Sequence, residues 1–340
     1  MPLFTQLFGH QPLFLAPMAG VTNLPFRLFC RELGATAAIT EFVSVLSMTY
    51  GSDNNGSIQT QALQHLLATT EDERPVGLQV FGFCHDHFDH WLTKMDVKEL
   101  GFDFLELNVG CPVPKVIRSG SGAALLAPDK LPELERIVQT TLTKTDLPFS
   151  LKVRRGFLEP LDLIMFAEFL NSVDLLMVTF HPRLAKESYK TPANHEITQT
   201  FIELVDHPVV ANGSIMSLAD VSDVLELTGA AGTMIGRMAR RFPWVFNPIY
   251  QGGIYSDTYV KSLNHFLDLS KKYGYPSEGF VRGQLMHFLR GFPGAKLFRT
   301  RLQTGVEDIS QLYGLVDSVD QYLERTGVTS ISKVVPHSTT

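Results

Sequence analysis

The sequence predicts a (β/α)8 barrel followed by a small all-helical domain. Three observations carry this expectation. Short apolar runs rich in β-formers occur eight times in the first part of the chain, over about 240 residues, the length such a barrel needs. Helical patterns separate most of them. Near Tyr255 the β signals stop and only helical periodicity continues. A doubly wound open sheet is the alternative that strand counting leaves standing.

Strands are expected near 13–16, 37–42, 76–81 and 104–109, then near 149–153, 175–180, 208–211 and 233–235. Helices are expected between them over 25–33, 85–94, 131–142, 161–170 and 218–227, where apolar residues recur at helical spacing. The polar stretch Tyr50–Thr70 is longer than an ordinary βα connection and reads as an excursion over the barrel mouth. Further helices are expected over 258–273, 280–289 and 317–325. The division is therefore a catalytic barrel over 1–255, a helical domain over 256–330 and a flexible tail over 331–340.

Composition narrows the class. The 340 residues are 44% hydrophobic and 19% charged, as in an ordinary globular chain, and show no short internal repeat. Three cysteines, Cys30, Cys84 and Cys111, are too few for a disulfide framework and suit a reducing compartment. The N-terminus lacks a basic n-region before an apolar run, and no stretch approaches the roughly 18 apolar residues of a membrane span. The expectation is a soluble cytoplasmic monomer without a metal. A net charge of −6 argues against a dedicated nucleic-acid binder. Its distribution reverses that: residues 261–301 hold eight Lys and Arg against Asp268 and Glu278. Arg290, Lys296, Arg299 and Arg301 crowd the end of this segment and are the candidate nucleic-acid contacts.

Active sites of such barrels lie at the C-terminal strand ends, and the unusual residues of this chain gather there. The first strand runs into Pro17-Met18-Ala19-Gly20, the second into Glu41, the third carries Gln79, and the fourth carries Asn108 ahead of Gly110-Cys111-Pro112. Lys152 and Arg154 fall on the fifth and His181 on the sixth. The seventh ends in Asn212-Gly213-Ser214 and the eighth in Gly236-Arg237. Either glycine turn alone serves equally as a tight connection. As a pair after the last two strands they favour phosphate binding, with Arg237 adding charge. A lysine, an amide and an imidazole around one mouth suit the heteroatom edge of an isoalloxazine ring, although each alone could be a satisfied polar group near the core rim.

One block is more specific. LNVGCPVPKVIRSGSGAALL at Leu107–Leu126, taken with APMAGVTNLPFR, TEFVS, LQVFG, LKVRRG and ANGS, resembles the tRNA-dihydrouridine synthases. HFLRGFPGAKLFRTRL near the C-terminus resembles that family's helical tRNA-binding domain. The resemblance implies reduction of a uracil ring within tRNA by FMN recharged from NADPH. By position it implies that Pro17, Met18, Gln79, Lys152, His181, Asn212, Gly213, Gly236 and Arg237 hold FMN. Cys111 would be the general acid, while Asn108, Arg154 and Tyr189 would meet the substrate. Two places depart from the family pattern. His181 is followed by Pro182 rather than glycine, and MARRFPW follows Gly236-Arg237 where a GNPW-type ending is more usual.

Reducing the C5=C6 bond of uracil needs a hydride at C6 and a proton at C5. A thiol suits the second task because its pKa of about 8.5 lies near working pH. Cys30 and Cys84 read instead as small apolar fillers. Lifting a uridine out of its stack needs contacts elsewhere on the RNA, which the basic segment is suited to supply. Two other readings compete: a small-molecule flavin enzyme of the dihydroorotate or dihydropyrimidine reductase kind, and a flavin-free phosphate-binding barrel or RNA-binding module. The basic helical segment is what a free pyrimidine would not need.

Overall fold

In the computed structural model, which describes residues 2–53, 56–274, 278–304 and 308–332, a short helix α1 (Pro2–Phe8) precedes the barrel. The first half then runs β1 (Leu13–Leu15), α2 (Leu24–Glu32), β2 (Ala37–Ile39), β3 (Val43–Ser44), α3 (Val45–Tyr50), α4 (Gln61–Leu66), β4 (Val76–Phe81), α5 (His85–Lys94) and β5 (Phe104–Val109). It continues through α6 (Pro114–Arg118), α7 (Leu131–Lys144), β6 (Phe149–Arg154), α8 (Leu163–Asn171), β7 (Met177–His181), α9 (His195–Leu204), β8 (Val209–Asn212), α10 (Leu218–Thr228), β9 (Gly232–Ile235) and α11 (Arg237–Arg241). Strands β1, β2 and β4–β9 pair in parallel, and the β1–β9 and β2–β4 pairings close the ring. Closure rules out the open doubly wound sheet. The short β3 extends the second strand's path beside β4.

Local chemistry explains the elements. The strands are buried on both faces, so they read as apolar runs rather than alternations. Asn23 caps α2 by accepting from Phe26 N–H at 2.9 Å, with Pro25 inside the first turn. Asp162 and Ser217 cap α8 and α10 in the same way. The segment after Tyr50 lies elsewhere than expected. Lys94, at the end of α5, donates to Thr49 O at 2.7 Å and Ser52 O at 2.9 Å. That places this stretch beside the C-terminal end of α5, away from the mouth, and the Gly51–Leu63 packing folds α4 back against it.

Beyond Tyr255 come α12 (Ser256–Lys272), α13 (Glu278–Phe288), α14 (Ala295–Thr304) and α15 (Ile309–Thr326). Two features differ from the sequence reading. Ser330–Ile331 forms an antiparallel ribbon with Ile254–Tyr255, which ties the two ends of the helical segment together. Ile331, assigned above to the tail, is therefore buried; residues 333–340 of that tail lie outside the described residues. Helix α15 also begins eight residues before the expected start, capped by Asp308.

An aromatic cluster joins the helices to the barrel. Phe29 of α2 packs on Phe266 of α12 at 5.7 Å and on Trp244 at 6.1 Å, and Phe288 of α13 lies 5.2 Å from Phe266. All four rings are buried, each worth roughly 1.5–3 kcal/mol of burial. Gln284 of α13 donates to Val21 O at 2.9 Å, so this helix abuts the loop after β1, at the barrel mouth.

Underneath, Arg27 of α2 is buried and pairs with buried Glu73 through two bonds of 2.7 and 2.8 Å. Its remaining donors go to Thr22 O and Ala68 O. Removing one partner strands a buried charge. Glu73→Ala is expected to lower unfolding free energy by about 3–5 kcal/mol, read as a fall in urea midpoint at unchanged slope. A midpoint equal to the parent's would show that the pair contributes nothing.

Candidate active site

Residues i and i+2 of a strand share a face, and the barrel register puts the inward polar residues level with one another. Gln79 lies opposite Glu106, Asn108 opposite Lys152, Lys152 opposite Thr179, and Arg154 opposite His181. Asn108, Lys152, Arg154 and His181 border a cavity of about 540 Å³ at the C-terminal strand ends. Pro17 and Met18 form its wall after β1. Asn108 and Cys111 come from β5 and its loop, Lys152, Arg154 and His181 from the next two strands, and Tyr189 from the loop after β7. Asn212, Gly213, Gly236 and Arg237 complete it. The structure thus brings together every residue expected at the cofactor and substrate sites except Gln79, which is fully buried behind the wall.

Gln79 has a different task. Its amide N–H donates to Glu106 Oε1 at 2.6 Å, and its oxygen accepts from Asn108 Nδ2 at 2.8 Å. Asn108 Oδ1 in turn accepts from Gly110 N–H at 3.1 Å and Cys111 N–H at 2.9 Å. The bonds that run from Glu106 through Gln79 to Asn108 hold both amides and, through them, the Cys111 turn in one orientation. Gly122 closes over that turn at φ +61°, where a Cβ would sit 2.9 Å from Cys111 O. This is a physical reason for the SGSGAALL pattern.

Cations dominate the remainder. Lys152 Nζ donates to Asn212 Oδ1 at 2.9 Å, and Asn212 Nδ2 donates to Met234 O at 2.8 Å. Arg154 donates to Gly110 O at 2.8 Å, Leu184 O at 2.9 Å and Tyr189 Oη at 3.3 Å. Arg183 donates to Ser214 Oγ at 2.7 Å and contacts His181 Nε2 at 2.8 Å. Since Arg only donates, Nε2 accepts and Nδ1 carries the ring proton. Burial and the charges of Arg154, Lys152, Arg183 and Arg237 push the His181 pKa far down, which keeps it neutral. The Tyr189 ring has Arg237, Arg154 and Arg183 at 4.6, 5.6 and 5.9 Å, and stacks against His181. Among the described residues no carboxylate forms an ion pair with Arg154, Arg183 or Arg237. Cys111 is half-buried. Burial raises its pKa, while the Val113 N–H, Arg154 and Lys152 pull it part of the way back.

Gly213, at φ +118°, lies against His181: a Cβ there would be 2.6 Å from the imidazole. The turn is glycine because the ring occupies that space.

A family model for dihydrouridine synthase matches residues 14–315. The chain belongs to the dihydrouridine synthase family. Its relatives extend the match to nearly full length. A probable tRNA-dihydrouridine synthase of Aquifex aeolicus is 28% identical over 94% of this chain and 98% of its own. One of Helicobacter pylori strain 26695 is 30% identical over 92% of each. The tRNA-dihydrouridine synthase B of Pseudomonas syringae is 32% identical over 71% of this chain and 68% of its own. Among solved structures, morphinone reductase in complex with tetrahydroNAD is similar in fold, with a TM-score of 0.50 at 10% identity over 69% of this chain and 85% of its own.

Sequence reasoning missed two residues of this dihydrouridine synthase site. Glu106 was legible as the residue two before Asn108, hence on the same strand face. Arg183 was visible only as a neighbour of an altered motif, since nothing local shows that it turns back to His181. The four candidate nucleic-acid contacts lie outside the cavity. Lys296 and Arg301 are exposed on α14, with Arg301 5.7 Å from the Phe298 ring. Arg299 donates to Leu289 O at 2.7 Å and so also closes the end of α13; Arg290 follows that helix, half-buried.

Glu106 and Lys152 influence each other across the barrel. Burial raises the carboxyl pKa and lowers the ammonium pKa, and each group's charge opposes the shift of the other. Glu106→Gln removes the largest influence that favours the charged lysine. The Lys152 pKa is expected to fall further, measured by NMR titration of isotopically methylated lysines. A Lys152 titration unchanged by the substitution would disprove the coupling.

Proposed function

We propose that this dihydrouridine synthase reduces uridines of tRNA to 5,6-dihydrouridine as a monomer, with FMN held in the cavity and NADPH as the electron donor. The observation that carries the reading is the placement of Cys111: a thiol on the cavity wall, its turn oriented by Asn108, facing the same space as Lys152 and Arg154. The names of the relatives supply the substrate class.

The residues present fit FMN. The cavity volume lies in the range for cofactor sites, one wall is apolar through Pro17, Met18 and Met234, and its guanidinium groups lack carboxylate partners. Gly213, Gly236 and Arg237 are the residues to hold the phosphate. Lys152, His181 and Asn212 are those to meet the polar edge of the ring, with Gln79 acting through Asn108. Bound FMN, recharged by NADPH, supplies the hydride for uracil C6.

The chain's own residues do the rest. Asn108 and Arg154 orient the uracil, and the exposed Tyr189 covers it from the loop after β7. Cys111 holds the proton for C5. Because its pKa is raised, the thiol is protonated at neutral pH and able to donate. Helices α12–α15 present Arg290, Lys296, Arg299 and Arg301 to the RNA backbone.

Cys111→Ala is expected to retain flavin and to be reduced by NADPH, yet to lose dihydrouridine formation on a tRNA transcript by roughly 10²–10⁴. Unchanged dihydrouridine formation would remove Cys111 from the proton step. In the parent, turnover persists through the ordinary thiol range near 8.5 and falls only at higher pH, where the acid is lost. Lys152→Ala is expected to purify with less flavin; full occupancy and normal NADPH oxidation would remove Lys152 from the cofactor site.

A further inference from the structure

Beyond β9 the chain places Arg240 and Arg241 in the MARRFPW segment after Gly236-Arg237. Within α11, Arg237, Arg240 and Arg241 stand at i, i+3 and i+4, which puts them on one face, while Met238 and Ala239 are buried on the other. The neighbouring α13 brings up His287 and, just past its end, Arg290. Arg240 donates to His287 Nε2. Arg241 and Arg290 both lower the Arg240 pKa, and Arg290 lowers that of Arg241, so three guanidinium groups share one locality. No ion pair to Arg240, Arg241 or Arg290 occurs among the described residues. Two donor-bearing groups there, His287 Nδ1 and Arg290 Nε, are buried without a partner.

Like charges held together by packing, without a counter-ion, are stabilised by an anion that reaches several of them at once. The cluster is also placed for a strand. Arg240 stands on the rim of the cavity, and the positive field continues outward from Arg290 to Arg299.

We infer that Arg240, Arg241 and Arg290, with His287 holding Arg240 in place, bind a backbone phosphodiester of the RNA strand that enters the cavity. The inference rests on the reading of the cavity as a site for a uridine of RNA. It adds to that reading a phosphate subsite built by α11 and the end of α13.

The test compares the flavin-loaded parent with Arg240→Gln/Arg241→Gln and with Arg240→Lys/Arg241→Lys, using an unmodified tRNA transcript across a salt series. The glutamine variant is expected to bind on the order of tenfold more weakly near 0.1 M salt, with its salt slope reduced by about one to two. The lysine variant is expected to keep the parent's slope, which distinguishes phosphate contact from a change in folding. Equal slopes for the parent and the glutamine variant would overturn the inference. A raised KM for NADPH with RNA binding unmoved would overturn it too, because the cluster would then serve the reductant's phosphate. A parent that binds no transcript also overturns it. A parent that binds the transcript with the expected slopes but forms no dihydrouridine would sink the proposed reaction and leave the phosphate subsite supported.

Discussion

Closure of the parallel barrel is the constraint on which the rest depends. Once β1 pairs with β9 and β2 with β4, all eight strands must release their chains at one end, and the strand register sets Gln79 beside Glu106, Asn108 and Thr179 beside Lys152, and Arg154 beside His181 in successive layers toward the mouth. None of these residues is near all the others in sequence. The enclosed polar groups then have few options: each must find a partner across the ring or face the cavity. Glu106 and Gln79 take the first course. Lys152, Arg154 and His181 reach the cavity wall while keeping a bond behind it.

The outcome is a site with a sharp division of labour by depth. The acidic group lies low in the barrel, at Glu106. Cationic charge lies at the mouth, at Arg154, Arg183 and Arg237, and spreads from there over α11 to the helical segment. A neutral imidazole and a protonated thiol persist inside this field for different reasons. For His181, burial and positive neighbours act in the same direction. For Cys111, burial outweighs the positive neighbours that would favour the thiolate. The same cations therefore reinforce burial at His181 and oppose it at Cys111.

Much of this was legible in the residues. The strands β4 and β5 and the helix α5 fall where apolar runs and helical spacing place them, because strong local patterns coincide with burial on a closed ring. The strand-end residues pointed to the mouth for the same reason. What the sequence withheld was long-range. The ribbon between Ile254–Tyr255 and Ser330–Ile331 joins residues too distant to show any local signal. Gln79 looked like a wall residue because its strand position is right; only the partner on β5 reveals that it faces Glu106. The excursion after Tyr50 lies at the far end of α5 because Lys94 binds its carbonyls, a contact without a motif.

The bond from Gln284 to Val21 O has a consequence of its own. Val21 sits three residues beyond Met18, which lines the cavity, and α13 carries Gln284 on the same rigid rod that ends beside Arg290. With a rise of about 1.5 Å per residue, the four residues from Gln284 to the helix end at Phe288 span only about 6 Å, and Arg290 follows two residues on. Backbone, rather than mobile side chains, therefore fixes the interval between the apolar wall and the guanidinium cluster. The fold thus sets the distance between these two parts of the mouth, and whatever reaches both meets a fixed spacing.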